Sequence, residues 1–229
     1  MADTPSSTPP VLTIDVVSDV VCPWCFVGKR RLEKALALTP DIATEIHWRP
    51  FQLAPDLPPE GKPRRQYMLD KFGDPERIRQ IHERLTGIGA EEGIAFDFDR
   101  IAIAPNTLNA HRLILWARSP ETQNRVVEAL FSAFFIEGRN LADNAELVAI
   151  GASCGLDPEL LAELFATDAD IDRTRREYVS AQKIGVSGVP FFIVAGRYGI
   201  AGAEAPETIA GAIRKAAAEV TAKAGHVAS

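Results

Sequence analysis

Runs of apolar residues divide the chain into three stretches. Near the beginning, an apolar run over 11–17, a helix-length segment over 23–38 and a second strand pattern from Glu45 predict a β-α-β unit. A connection of helix length implies that these two strands lie parallel. Near the end, the aromatic and β-branched run over 190–195 is followed by a turn at Gly196-Arg197, a short return strand and a helix from about Pro206. This stretch predicts a β-β-α unit.

The middle stretch is dominated by helix signals. Asp74, Ser119 and Asp157 are each followed by a proline and then a glutamate, which is the pattern of a capped helix start. A further helix, from about Asp168, is predicted to end at Gly185 with a left-handed cap. Since the two outer parts are too small to be separate domains, we expect them to close into one sheet. The predicted fold class is α/β, ordered β-α-β … β-β-α, with a large all-helical insertion.

These patterns also set the expected domain boundaries. Residues 11–61 plus 186–224 are assigned to a discontinuous sheet-bearing domain, and residues 62–185 to the helical insertion domain. Residues 1–10 form a polar tail rich in proline and serine, which is predicted to be disordered.

Composition narrows the expected partners and location. The chain has 229 residues and a net charge of −6, which argues against nucleic acid or an acidic membrane surface as a partner. No apolar run is long enough for a membrane-spanning helix, and the N-terminal stretch lacks the pattern of a secretory signal. Three cysteines do not make the disulfide framework of a secreted protein. We therefore expect a cytoplasmic protein.

The candidate chemistry lies at Cys22-Pro23-Trp24-Cys25, between the first predicted strand and the first predicted helix. Unpaired N–H groups and the helix dipole at such a start stabilise a thiolate, and Pro23 fits the first helical turn. A structural zinc site would need four ligands, and neither Cys154 nor the four histidines has the spacing for the other two. The pattern therefore predicts thiol–disulfide chemistry with no metal, although two inert neighbouring cysteines remain an alternative.

Several segments together resemble a known family. Ser18–Gly28 around the motif, Trp48–Leu53, Asn106–Leu113, Gly185–Phe192 and Gly202-Ala203 follow in the order seen in DsbA-like disulfide oxidoreductases, and most resemble their FrnE-type dithiol–disulfide isomerase branch. The resemblance implies a thioredoxin-like fold with a helical insertion. It also implies a cis bond before Pro190, which places the Val189 backbone beside the cysteines, where it pairs with an extended substrate. From the residues alone, an ordinary trans proline opening an edge strand is the alternative.

The expected roles at the site differ for the two cysteines. Cys22, at an exposed helix start, is the predicted nucleophile, and Cys25, one turn further in, resolves the mixed disulfide. Trp24 either forms an apolar rim for the substrate or covers the disulfide. Lys29 and Arg30 are expected to face solvent.

Other residues receive simpler interpretations. Cys154 is predicted to be a small buried side chain, with a peripheral redox role as the alternative. His111 is interpreted as a structural or surface residue, with a place facing the cleft as the alternative. Lys62, Arg64 and Arg65 are expected to form a solvated loop.

The leading functional hypothesis is a thiol–disulfide oxidoreductase or isomerase. It would act on protein, peptide or small-molecule thiols through the redox-active Cys22–Cys25 disulfide, with no bound cofactor and with glutathione as a candidate co-substrate. The alternative is a glutathione-dependent transferase or 2-hydroxychromene-2-carboxylate isomerase of the kappa class, whose architecture the chain also resembles. Those enzymes use a serine near the position of Cys22, so the cysteine pair departs from their pattern. The chain is expected to be a monomer or a homodimer.

Overall fold

The first β-α-β unit has the predicted form. In a computed structural model that describes the backbone of residues 11–227 and the side chains of 11–222, strand β1 (Leu12–Ser18) is followed by helix α1 (Pro23–Ala37) and strand β2 (Thr44–Pro50). Strands β1 and β2 are parallel, with Leu12 opposite Thr44. Cys22 is the N-cap residue of α1 and Pro23 its first helical residue. The expected disorder of residues 1–10 falls outside the described residues.

The insertion consists mostly of helices, and it also contains a short β-ladder that the all-helical prediction missed. Strand β3 (Lys62–Pro63) pairs antiparallel with β4 (Ile103–Ala104). The helices of this part are α2 (Arg64–Phe72), α3 (Pro75–Glu91), α4 (Leu108–Trp116), α5 (Pro120–Phe135), α6 (Asn144–Ser153), α7 (Pro158–Phe165) and α8 (Ile171–Lys183). The starts of α3, α5 and α7 confirm the three predicted cap-and-proline signals, and each capping side chain accepts a backbone N–H. A two-residue ladder has no hydrophobic period by which sequence could reveal it.

The last stretch completes the main sheet. Strand β5 (Phe191–Val194) and strand β6 (Tyr198–Ala201) form a hairpin, and α9 (Pro206–Val227) follows. The four-stranded sheet has the order β2-β1-β5-β6, with β5 antiparallel to β1. Strands from the two ends of the chain therefore lie side by side, as expected for a thioredoxin-like sheet interrupted by an insertion.

One continuous apolar core joins the sheet, α1 and the insertion. Phe26, in the second turn of α1, stacks on Phe131 of α5 with ring centroids 4.9 Å apart and meets Phe96 edge-on at 6.0 Å. Aromatic pairs of this kind add to the stability that burial alone supplies. The helix that carries the cysteine motif is thus anchored by the insertion as well as by the sheet.

Candidate active site

The two cysteines lie at the start of α1 in clearly different surroundings. Cys25 is 1% exposed, and Cys22 is 5% exposed, so the expectation of an exposed Cys22 was wrong. The cover comes from the other end of the chain, because the Cys22 thiol donates to the Val189 carbonyl oxygen at 3.6 Å. Both thiols are free in this structure.

The environment of Cys25 keeps it protonated. Burial is the largest cause, and together with the neighbouring Cys22 it raises the pKa of the Cys25 thiol well above its ordinary value. The neighbouring Ser18 hydroxyl and the Asp19 backbone oppose this shift without cancelling it. Since only a thiolate attacks a disulfide, Cys25 is a poor nucleophile in the free protein. Cys22, at the helix N-terminus, is the better candidate for the first attack.

The helix start that carries Cys22 has free hydrogen-bonding capacity. No side chain caps α1, and no acidic residue lies in its first turn. The backbone N–H groups of a helix start carry partial positive charge, which favours an anion at that position. The arrangement suits a sulfur that must become a thiolate.

The proline loop contacts the motif closely. The Val189–Pro190 bond is cis, as the resemblance implied. Gly28 lies so near this loop that a Cβ atom built on it would be 2.8 Å from Pro190 Cγ. The structure thus brings Cys22, Cys25, Val189 and Pro190 together, with Pro23 and Trp24 half-buried beside them.

A buried polar group behind the motif was missed from sequence. The Asp19 side chain is fully buried, and its Oδ2 accepts the Leu53 backbone N–H at 2.7 Å. His111, on α4, lies with Nε2 2.9 Å from the Phe51 carbonyl oxygen and 3.5 Å from Asp19 Oδ1. Because a carbonyl oxygen only accepts, we assign a hydrogen to His111 Nε2. His111 is therefore a buried structural residue rather than a surface one, and a carboxylate three positions before Cys22 was the signal available in the sequence.

Lys29 and Arg30 of α1 were predicted to face solvent, but both form ion pairs with carboxylates. Lys29 is 3% exposed and forms ion pairs with Glu33 and, at 2.8 Å, with Glu128 of α5. Arg30 also contacts both oxygens of Glu128. The reason is tertiary, since α5 brings the Glu128 carboxylate to this face of α1.

A cavity opens between the cysteine motif and the insertion. Its enclosed volume is about 90 Å³, and its lining includes Val21, Pro23, Arg64, Lys71 and His82. Arg64 was expected in a solvated loop, but it begins α2 and its Nε is buried without a hydrogen-bond partner. No sequence signal distinguishes Arg64 from its neighbours, because its partial burial depends on residues distant in sequence, such as Phe134 of α5 beneath its guanidinium.

Other predicted residues have no part in this geometry. Cys154 is buried at the end of α6, far along the insertion, as expected for a small packing residue. Among the described side chains, those of residues 11–222, no cluster of three or more His, Cys, Asp or Glu is arranged to hold a metal ion. The helices within residues 11–227 are too short or too polar to cross a membrane.

The chain matches the DsbA-like thioredoxin domain over residues 13–214. A probable DsbA oxidoreductase from Streptomyces coelicolor, SCO1869, is 31% identical; the match covers 90% of this chain and 89% of that one, with a TM-score of 0.82. The uncharacterized protein YwbO of Bacillus subtilis is 28% identical over 79% of this chain and 86% of its own length.

Two more distant structures share the fold alone. A 2-hydroxychromene-2-carboxylate isomerase has a TM-score of 0.64 at 16% identity, covering 95% of this chain and all (100%) of that one. The cytosolic disulfide reductase DsbM of Pseudomonas aeruginosa, solved with GSH, has a TM-score of 0.54 at 19% identity, covering 92% and 98%. The same fold therefore occurs in a disulfide reductase and in an isomerase.

Proposed function

Because the chain belongs to the DsbA-like thioredoxin family, we propose that it is a thiol–disulfide oxidoreductase or isomerase that works through Cys22 and Cys25. One observation carries the proposal. Cys22 lies at an uncapped helix start, with a protonated Cys25 beneath it and the Val189 backbone in contact with its sulfur. This arrangement combines a thiol at a helix N-terminus, a second thiol within one helical turn and a backbone surface for a substrate.

The reaction takes two steps in the reducing direction. The Cys22 thiolate attacks one sulfur of a substrate disulfide, the substrate S–S bond breaks, and one substrate thiolate leaves. Cys25 then loses its proton and attacks Cys22 Sγ, which releases the second substrate thiolate and forms the Cys22–Cys25 disulfide. Two electrons pass from the protein to the substrate. The reverse sequence oxidises a substrate dithiol, and an isomerase would release Cys22 before the second step is complete.

Val189 and Pro190 are the proposed substrate-binding residues. The Val189 carbonyl oxygen, which accepts from Cys22 in the free protein, would accept a backbone N–H of an extended peptide. Half-buried Trp24 would contribute apolar contact beside the sulfur. Backbone pairing makes few demands on side chains, so it suits protein and peptide substrates of varied sequence.

Partners, location and branch are part of the proposal. Glutathione is a candidate co-substrate, supported by the DsbM structure with GSH, and no bound cofactor is needed for the two steps. A cytoplasmic location and membership of the FrnE-type branch are in keeping with the cytosolic DsbM neighbour and with the sequence motifs. A monomer or homodimer is proposed.

The first experiment is to equilibrate the protein against glutathione redox buffers, alkylate the free thiols and determine the masses of the products by mass spectrometry. We expect a reversible two-electron couple between Cys22 and Cys25 in the range of roughly −120 to −270 mV. Replacement of Cys22 by serine should abolish exchange, while C25S should accumulate a mixed disulfide on Cys22.

The glutathione-dependent isomerase or transferase is the second candidate, since such an isomerase shares the fold. It would be favoured by the absence of a Cys22–Cys25 disulfide at every redox potential, together with tight binding of glutathione. An activity that survives in the C22S/C25S variant would favour it as well.

A further inference from the structure

The enclosed part of the cavity beside the cysteine motif is small. Its volume of about 90 Å³ is below the range of roughly 300–1,000 Å³ for sites that enclose a whole small molecule, so it suits a single group such as a carboxylate. Val21 and Pro23 line the end next to Cys22, while α2 and α3 of the insertion line the other. Most of the remaining lining is apolar, with Leu53, Met68 and Phe98 among it. Cys22 itself does not line the cavity, so a ligand held here by one end would have to extend past Val21 and Pro23 to reach the reacting sulfur.

Arg64 places an unneutralised positive charge in this cavity. The Arg64 guanidinium forms no ion pair with any residue from 11 to 222, and its Nε has no hydrogen-bond partner. Burial lowers the pKa of Arg64 to about 10, which still leaves it charged at neutral pH. Its nearest favourable contact is the face of the Phe134 ring, at 5.8 Å. Arg64 is partly buried, so an anion bound next to it would interact with it more strongly than with a fully exposed cation.

Lys71 adds a second cation to the same lining. Its Nζ lies 3.2 Å from the Tyr67 hydroxyl and forms no ion pair with the described side chains. The one acidic residue of the lining, Asp19, is fully buried and accepts the Leu53 backbone N–H. The cavity is therefore positive in a protein whose net charge is −6.

The helix N-termini around the cavity also favour an anion. Pro23 of α1, Arg64 of α2 and Thr107, the N-cap residue of α4, all line it. None of these helices has an acidic residue in the first turn or a hydrogen bond from its N-cap side chain, although Asn106 Oδ1 accepts the first N–H of α4. Helices α3, α5, α6 and α7 have both features, and their cap residues lie away from the cavity. The first turns of the three helices that begin at the cavity thus lack acidic side chains, and Asp19 is the one carboxylate in the lining.

We propose that this cavity binds the carboxylate of a small thiol or disulfide, with Arg64 as its anchor and the substrate sulfur presented to Cys22. The inference rests on the proposed function and narrows its substrate class to anionic low-molecular-weight thiols and their disulfides. The Cys22 thiolate attacks the near sulfur of the bound disulfide, and the far half leaves as a thiolate. Arg64 takes no part in the electron transfer and acts only in binding.

The test compares disulfides of similar length and different charge. Reduced protein is mixed with excess dianionic dithiodipropionate, neutral bis(hydroxyethyl) disulfide or cationic cystamine, and formation of the Cys22–Cys25 disulfide is followed in a single turnover. No external reductant is needed, because the protein supplies both electrons. We expect the wild type to prefer the dianion, and R64Q to reduce that preference over the neutral disulfide about tenfold or more. R64K, which keeps the charge, should keep part of the preference.

Arg65 supplies the matched control. It is the next residue along α2, it is exposed, and it does not line the cavity. R65Q removes the same charge from the protein and should leave the preference for the dianion as it is in the wild type. An equal loss in R64Q and R65Q, or no preference in the wild type, would overturn the inference while leaving the proposed function intact.

If no turnover occurs, a binding measurement tests the anion site at Arg64 separately from the proposed oxidoreductase function. Calorimetric titration of the C22S/C25S variant with oxidised glutathione measures affinity without reaction. If the wild type fails to react with every disulfide but binding still depends on Arg64, the proposed function fails and the anion site stands. If binding is absent, or is the same with and without R64Q, the anion site is refuted.

Discussion

Helices α1 and α3 begin with the same first-turn proline and use their N-termini in opposite ways. At α3, Asp74 accepts the N–H groups of Glu76 and Arg77, and Glu76 places a carboxylate at the second helical position. At α1 the cap residue is Cys22, no side chain accepts those N–H groups, and the second position is Trp24. The start of α3 is satisfied by its own side chains, and the start of α1 is left available for a thiolate or a substrate.

The two helices also differ in how closely other residues pack against their glycines. Gly28 of α1 is needed for close approach, because a Cβ atom there would meet Pro190 at 2.8 Å and Phe192 at 3.2 Å. Gly87 of α3 is exposed and has nothing within 4 Å of an added Cβ. Carboxylates form ion pairs with α1 from Lys29 onward, a turn beyond the cysteines. The comparison shows that the sequence of α1 is constrained by the candidate active site. Helix α1 lacks an N-terminal cap and carries a glycine at a close contact, both of which lower helix stability.

The largest expected effect comes from the two glycines. Gly28→Ala should destabilise the protein by about 1–2 kcal/mol, since overpacking outweighs the gain in helix propensity. Gly87→Ala should stabilise it by up to about 1 kcal/mol. Urea unfolding of both variants measures the difference. Equal shifts of the same sign would show that the contact between α1 and the proline loop does not constrain Gly28.

A charge at the second position of α1 tests the role of its N-terminus. Trp24→Glu gives α1 the pattern of α3, and it should slow alkylation of Cys22 by iodoacetamide at pH 7 about three- to tenfold. Trp24→Gln, which has the same shape without the charge, is the control. The gap between the variants should narrow as salt is added. Identical rates in W24E and W24Q would mean that the first turn does not influence the thiolate.

The smallest effect concerns Glu128, which joins the middle of α1 to the insertion. Burial would raise the pKa of Glu128, but hydrogen bonds from Arg30 and Lys29 outweigh it and hold the pKa below its ordinary value. The stability it supplies is therefore present above its unfolded-state pKa of about 4.3 and is lost as pH falls through the lower folded value. We expect Glu128→Gln to cost about 1 kcal/mol or less at pH 7.

Denaturation at pH 7 and pH 3 measures that linkage. The difference between wild type and E128Q should shrink at the lower pH, because there Glu128 is mostly protonated in the unfolded state and its ion pairs favour the folded state less. A difference that stays constant between the two pH values would show that the ion pairs at α1 contribute no pH-dependent stability.

Much of the fold was predictable because its signals are local. The strand patterns of β1, β2 and β5, the proline-led starts of α3, α5 and α7, and the glycine after α8 each depend on residues within a few positions of one another. The ladder between Lys62–Pro63 and Ile103–Ala104 has no such signal and was missed. At the site, the cysteine pair and the proline loop were found from motifs, whereas Asp19, Lys29 and Arg64 were missed or misplaced.

The sequence by itself determined which helix would begin at the cysteines and that it would begin without an acidic cap, since both follow from residues 22–26. Tertiary structure alone decided how deeply Cys22 is covered, which carboxylate meets Lys29, and that Arg64 lies unpaired beside the motif. The physical reason is range. Capping and helix dipoles act within one turn of the chain, whereas burial and charge pairing depend on segments that the fold brings together from far apart in sequence.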